Sequence, residues 1–208
     1  IEAVRKVTSH IIVILHTGLS KYPLPSPEQR RLCRFLVDNG ASAVLCQHSH
    51  IMGAYESYNN GFISYGQGSF VFELNRKNTL WNKGYSVEFN FENNKQLVNI
   101  IPHRQFDDEL NIRTLSEAEN QEFDELMLKL NQILTDDVLF EKAWQDYLMK
   151  VEKYYFNQFF LSGNRIIRKI INLINFKFFL SKNKKNIILN NIRNDEHVEV
   201  LKDLLQRG

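Results

Sequence analysis

Two histidine signatures lie close together in these 208 residues: Val13-Ile14-Leu15-His16-Thr17-Gly18 and Leu45-Cys46-Gln47-His48-Ser49-His50. In each, a short apolar run with strand character ends abruptly in histidine. Strand ends are where open α/β sheets place their chemistry. Neutral imidazole is the commonest protein metal ligand, and His48-x-His50 can send two side chains toward one centre. If the two runs are parallel neighbours, His16 reaches the same sheet edge. Transition-metal ions held by imidazole there could activate water and polarise a phosphoryl oxygen. A hydrolytic centre of that kind also needs carboxylates, and no Gly-Asp or Asn-His-Asp/Glu stands anywhere in the chain; the one Asp-x-His, Asp195-Glu196-His197, lies far along the sequence from both histidine signatures. A lone strand-end histidine is more often a hydrogen-bonded structural residue than a ligand; three converging ones change that balance.

The elements that must position these groups are legible. Residues 1–8 read as a helix end leading into a strand over Ile11–Leu15, whose unbroken apolar run implies burial on both faces. Ser26-Pro27-Glu28 is a helix start, with serine as N-cap and proline at the first helical position. That helix runs to about Asn39 with Leu32, Phe35 and Leu36 as its apolar face, and Gly40 closes it. Ala43–Cys46 then completes a β–α–β unit. Hairpins follow: Tyr55–Tyr58 to Phe62–Tyr65, with Asn59-Asn60-Gly61 supplying positive φ at the turn, and Tyr85–Phe91 to Leu97–Ile101 through Asn93-Asn94. Gly66-Gln67-Gly68 is a tight bend before Phe70-Val71-Phe72. From about 116 the pattern is helical, with Phe123, Leu126, Met127, Leu130, Ile133, Leu134 and then Phe140, Trp144, Tyr147, Leu148, Val151 at helical spacing. Further helices are expected over about 164–181 and 195–206.

A net charge of +2 gives no argument for nucleic acid, but the charge is unevenly spread. Residues 105–152 carry 13 acids against 4 basic residues, and 153–194 carry 9 basic residues and no acid. An acidic helical region packing beside a basic one is the plain reading; a basic surface for an anionic polymer or membrane headgroups is the sharper one. The greasy stretch 166–180 is interrupted by Arg168, Lys169 and Lys177, which argues against a membrane span. Two cysteines, Cys33 and Cys46, make no disulfide framework and are expected as reduced, buried thiols. His10, His103 and His197 read as surface or capping residues, Trp81 and Trp144 as packing residues, and Asp107-Asp108-Glu109 as a solvated loop. The chain starts at Ile1 without a signal-peptide pattern, and is expected to be a fragment, so its compartment, cytoplasmic or envelope-associated, is left open.

The run His16-Thr17-Gly18, Pro23-Leu24-Pro25-Ser26-Pro27-Glu28-Gln29, Gly40-Ala41 and Gln47-His48-Ser49-His50 resembles the bacterial CapA-type capsule synthesis proteins. These are associated with poly-γ-glutamate capsules and related to the calcineurin-like metallophosphatases. The family reads His-Trp-Gly-x-Glu, Pro-Ser-Pro-x-Gln, Gly-Ala-Asp and Gly-His-His-Pro-His. Glu56, Tyr58, Ile63, Tyr65, Gly68 and Phe70-Val71-Phe72 track its Glu-x-Tyr and Ile-x-Tyr-Ser-Leu-Gly-Asn-Phe-Val-Phe segment. Asn190-Asn191-Ile192-Arg193 with Glu196-His197 looks like the helical tail of some members. The resemblance is specific over about 8–75. It departs from the pattern at Thr17, Ser20, Cys46-Gln47 and Gln67-Gly68-Ser69.

The resemblance implies an α/β fold: the C-terminal half of a four-layer α/β/β/α metallophosphatase-like sandwich over residues 1–104, followed by a helical extension over 105–208. It implies His16, His48 and His50 as metal ligands for divalent transition metal (Mn, Fe or Zn), two ions in the full-length protein. The remaining ligands would come from the N-terminal half of the same chain. Ser20, Gln47 and Tyr65 are the implied substrate contacts, and no residue is singled out as a catalytic acid or base. Three functions compete. The whole protein is a metal-dependent phosphoesterase-type hydrolase of capsule or envelope polymer metabolism, this piece alone being inactive. Alternatively it is a non-catalytic scaffold that binds an anionic polymer or a phosphorylated envelope intermediate through its basic helices. The third reading is an α/β domain with structural histidines and no metal.

Overall fold

The computed structural model describes residues 1–71, 81–92, 95–105, 111–160 and 204. The chain divides into two compact units, Ile1–Phe140 and Glu141–Gly208. The first opens with a short 3-10 turn, Val4–Lys6, and then alternates strand and helix: β1 (Ile12–Leu15), α1 (Pro27–Asp38), β2 (Ala43–Cys46), β3 (Tyr55–Tyr58), β4 (Gly61–Ser64), β5 (Lys83–Glu92), β6 (Lys95–Gln105), β7 (Ile112–Thr114), α2 (Glu117–Thr135) and the start of α3 (Asp137–Phe160). This is the mixed α/β class expected from the sequence. The helices expected over 164–181 and 195–206, the Asn93-Asn94 turn, Phe72, Asp107-Asp108-Glu109 and the tail with His197 lie outside the described residues.

The first sheet has the order β1-β2-β4-β3, with β1, β2 and β4 parallel and β3 antiparallel to β4. The second is an antiparallel β5-β6-β7 meander. The sheets face each other: Ala43, Leu45 and Phe62 of the first pack with Val87, Phe89, Val98 and Ile100 of the second. On the opposite face, α1 sets Cys33 against Cys46, their sulfurs 3.5 Å apart; both are free and buried thiols.

Ser26 caps α1 as read from sequence, its Oγ accepting from the Gln29 amide at 3.1 Å, and Pro27 occupies the first turn. Gly40 follows at φ +101°, a left-handed conformation that glycine adopts without strain. The helix is nonetheless rotated from the expected face. Its buried residues are Gln29, Arg30, Cys33 and Val37, while Phe35 is 59% exposed and Leu32 is also exposed. Arg30 is held inside by Asp137 at 2.9 Å and the face of Phe140, so a polar residue takes the place a periodicity count gives to leucine.

β1 also differs from expectation. Ile12 and Ile14 share the face of Ala43 and Leu45, yet Ile14 is 67% exposed on this outermost strand. The β3–β4 hairpin forms in the expected register, but positive φ falls on Asn59 (50°) and not on Gly61. Gly61 is required for packing: a Cβ there would meet Val37 Cγ1 at 2.7 Å. β7 carried no readable sequence signal; Arg113 within it anchors the capping box of α2, where Ser116 and Glu119 exchange hydrogen bonds. In the second unit Trp144 and Leu148 of α3 are buried, with Trp144 stacked on Tyr147 at 5.6 Å, in keeping with the packing role expected of Trp144.

Candidate functional site: a histidine cavity at the strand mouths

Because β1 and β2 are parallel with Leu15 opposite Cys46, their C-terminal ends open at the same edge. His16 follows β1 directly, and the Gln47 amide extends the pairing by donating to the Leu15 carbonyl at 2.9 Å. One residue later His48 Nδ1 stands 3.0 Å from His16 Nε2, so one of those nitrogens carries the shared proton. The two rings meet edge to face with centroids 4.8 Å apart, and His50 lies 5.9 Å from His48.

His50 is held in a distinct way. Its backbone sits at φ +60°, a left-handed conformation uncommon for a residue with a Cβ. Its ring stacks on Trp81 at 5.0 Å and 13°, and Lys21 Nζ lies 5.7 Å from the same indole. Burial, then the neighbouring His48 and His16, push the His50 pKa below its ordinary value. The ring is therefore neutral at pH 7.

These groups line a cavity of about 600 Å³ together with Gln47, Gln67, Ser69, Phe70, Tyr85 and His103. The bend after β4 brings Gln67 into it, and the Gln67 carbonyl accepts from the Tyr85 amide at 2.8 Å, tying this bend to the second sheet. Gly68, at φ +78°, bridges to Gly84, and a Cβ on Gly68 would come within 2.7 Å of the Lys83 carbonyl. Sheet one thus supplies His16, His48 and His50, and sheet two the opposing wall.

The residues implied as substrate contacts separate. Gln47 lines the cavity. Tyr65 does not: it is buried, and its hydroxyl donates to Glu56 at 2.6 Å. Ser20 is an exposed turn residue outside the lining. His103, read as surface because it follows Pro102 near a strand end, is instead 6% exposed and lines the cavity from β6. Phe70 meets its ring edge-on at 5.1 Å, and burial lowers its pKa. The cross-strand partner of His103 is Gly84, where a Cβ would meet His103 Nε2 at 2.7 Å, a pairing visible only in the structure.

Among the described residues, no group of three or more His, Cys, Asp or Glu side chains is arranged to hold a metal ion. His16 Nε2 and His48 Nδ1, 3.0 Å apart at the cavity, share a proton in this arrangement, and they are the pair that could hold an ion in its place. His50, stacked on Trp81, does not converge with them on one point.

A parallel β–α–β unit with histidines at both strand mouths, faced by a second sheet, defines an α/β protein whose site lies at the carboxyl edge of its strands. Residues 1–74 match the model of the bacterial capsule synthesis protein family PGA_cap. The capsule biosynthesis protein CapA of Bacillus anthracis is 35% identical over 63 residues, 30% of this chain and 15% of that protein. The PGA biosynthesis protein CapA of Bacillus subtilis strain 168 is 33% identical over 73 residues, 35% of this chain and 19% of that protein. Residues 1–74 are therefore similar to the CapA-type capsule synthesis proteins. The matched stretch spans less than a fifth of either relative.

Proposed function

We propose that this chain serves capsule or cell-envelope polymer biosynthesis as part of a metal-dependent, phosphoesterase-type hydrolase. The observation that carries this reading is the pair of imidazole nitrogens from two parallel strand ends, 3.0 Å apart at a cavity shared by the two sheets. His16 and His48 would hold a divalent transition ion, with His50 beside them and carboxylate ligands contributed from outside the described residues, in the present reading by another half of the same protein. An ion held there supplies Lewis-acid chemistry to a phosphoryl or comparable oxygen. The chain's own contribution is positional. β1 and β2 fix the two imidazoles, the Trp81 stack fixes the neutral His50 ring, and the second sheet forms the opposing wall of the cavity. A second reading, a non-catalytic polymer-binding scaffold, is favoured by the absence of a three-ligand group among the described residues.

Turnover of bis(4-nitrophenyl) phosphate by the whole protein with Mn²⁺ decides between them. The hydrolase reading predicts Mn²⁺-dependent release of nitrophenolate that falls at least 100-fold in the His48→Ala/His50→Ala variant. A folded protein with no metal-dependent turnover selects the scaffold.

A further inference from the structure

Two departures from the family pattern, far apart in sequence, meet in space. Gln47 stands where the family has histidine and Gln67 where it has leucine, and Gln47 Nε2 donates to Gln67 Oε1 at 3.0 Å. Both line the histidine cavity. Their backbones are fixed independently, Gln47 by its amide bond to the Leu15 carbonyl and Gln67 by accepting from Tyr85, so the pair is presented by two sheet-anchored segments.

A primary amide offers one acceptor oxygen and a two-proton donor. One bond between two such groups leaves the carbonyl oxygen of Gln47 and the amino group of Gln67 with capacity for a ligand. Exchanging their roles leaves the same complement, one acceptor and one donor. A secondary amide, with its N–H and C=O, satisfies both at once. A phosphate or carboxylate, which only accepts, leaves the carbonyl unused. Among the described residues the cavity lining includes no Lys, Arg, Asp or Glu. Phe70, 58% exposed, and Val71 add an apolar wall. A neutral sugar ring bearing an acetamido group offers the amide to the glutamines and its C–H face to that wall.

We propose that Gln47 and Gln67 form a clasp that binds the acetamido group of a neutral, N-acetylated sugar chain at the mouth of the histidine cavity. The proposal rests on the reading above that this cavity is the functional site, and it supplies the substrate class that reading leaves open: the sugar of a phosphorylated envelope intermediate would be recognised through its acetamido group.

Calorimetric titration of the purified protein with N,N′,N″,N‴-tetraacetylchitotetraose tests it, with cellotetraose as the chain lacking acetamido groups and tetra-γ-glutamate as an amide chain flanked by carboxylates. The clasp predicts that the acetylated chain binds at least ten times more tightly than either control. Gln47→Leu and Gln67→Met should each weaken it about tenfold, and the double variant little further, because either change breaks the same pair. Thermal melts of the variants establish that they fold. Equal binding of cellotetraose, tighter binding of tetra-γ-glutamate, no binding at all, or indifference to both substitutions in folded protein each overturn the proposal. The two readings fail separately. Acetamido-selective binding without metal-dependent turnover removes the hydrolase and keeps the clasp; turnover without acetamido selectivity does the reverse.

Discussion

On the helix side of the first sheet, Arg34, Glu56 and Tyr65 form a closed polar set; at the strand mouths, His16, His48, Gln47 and Gln67 form an open one. In the closed set, the Glu56 carboxylate accepts two bonds from Arg34, at 3.0 and 2.6 Å, and a third from the Tyr65 hydroxyl. Tyr58 covers the guanidinium at 4.8 Å. Burial and the adjacent Glu56 carboxylate raise the Tyr65 pKa, so its hydroxyl stays a donor. The open set has one hydrogen bond within each pair and faces a cavity. Members of both sets track the same family motifs. Their difference shows that a motif residue carries chemistry only when it keeps hydrogen-bonding capacity and borders space for a ligand; Glu56 and Tyr65 keep neither, and hold α1 to the sheet.

The largest effect expected from this contrast is on Glu56. Glu56→Ala strands the partly buried Arg34 guanidinium and the buried Tyr65 hydroxyl, and should cost about 3 kcal/mol in urea unfolding. His48→Ala, at the open set, should cost under about 1 kcal/mol. Equal costs would break the distinction. Next in size is Gly84→Ala, whose methyl would meet His103 Nε2 at 2.7 Å and the Gln67 carbonyl at 2.9 Å. Overpacking there should cost about 2 kcal/mol and disturb Gln67, so chemical-shift changes should concentrate at the cavity and leave Arg34 and Glu56 unmoved.

Glu119 tests a third polar set, at the start of α2. Arg113 first, then the Ser116 amide, hold its carboxyl well below the usual carboxylate range, with Arg104 adding to this. A depressed folded-state pKa gives stability that is fully present above the unfolded value of 4.5 and drains away as pH falls below it. Glu119→Gln should therefore lower the melting temperature at pH 7, with the gap to the parent closing toward pH 3. A gap that does not narrow at all between pH 7 and pH 3 would assign the loss to packing. The smallest effect is expected on α1: Phe35→Ser should stay within about 0.5 kcal/mol, whereas Val37→Ala, at a buried position, should cost about 1.5 kcal/mol.

That last pair marks where the sequence was readable and where it was not. Capping at Ser26-Pro27 and the Asn59 hairpin are local events, so α1 and β3–β4 could be placed from neighbouring residues alone. The His16 and His48 approach was legible too, because parallel strands bring their ends to one edge. Which face of α1 is buried was not, since Arg30 is drawn inward by Asp137, 107 positions along the chain. His103 and Gln67 enter the cavity only through the register of β6 and the Gly68–Gly84 bridge, pairings that no local pattern encodes.

The central claim, that the two strand mouths form one metal-binding site, is tested most directly by titrating Co²⁺ into the purified protein and following its visible ligand-field bands. The account predicts saturable binding with nitrogen-ligated absorption, reduced at least tenfold in affinity in both His16→Ala and His48→Ala and unaffected by Glu56→Gln. Binding that survives either histidine substitution, or no ligand-field spectrum from folded protein, would contradict it.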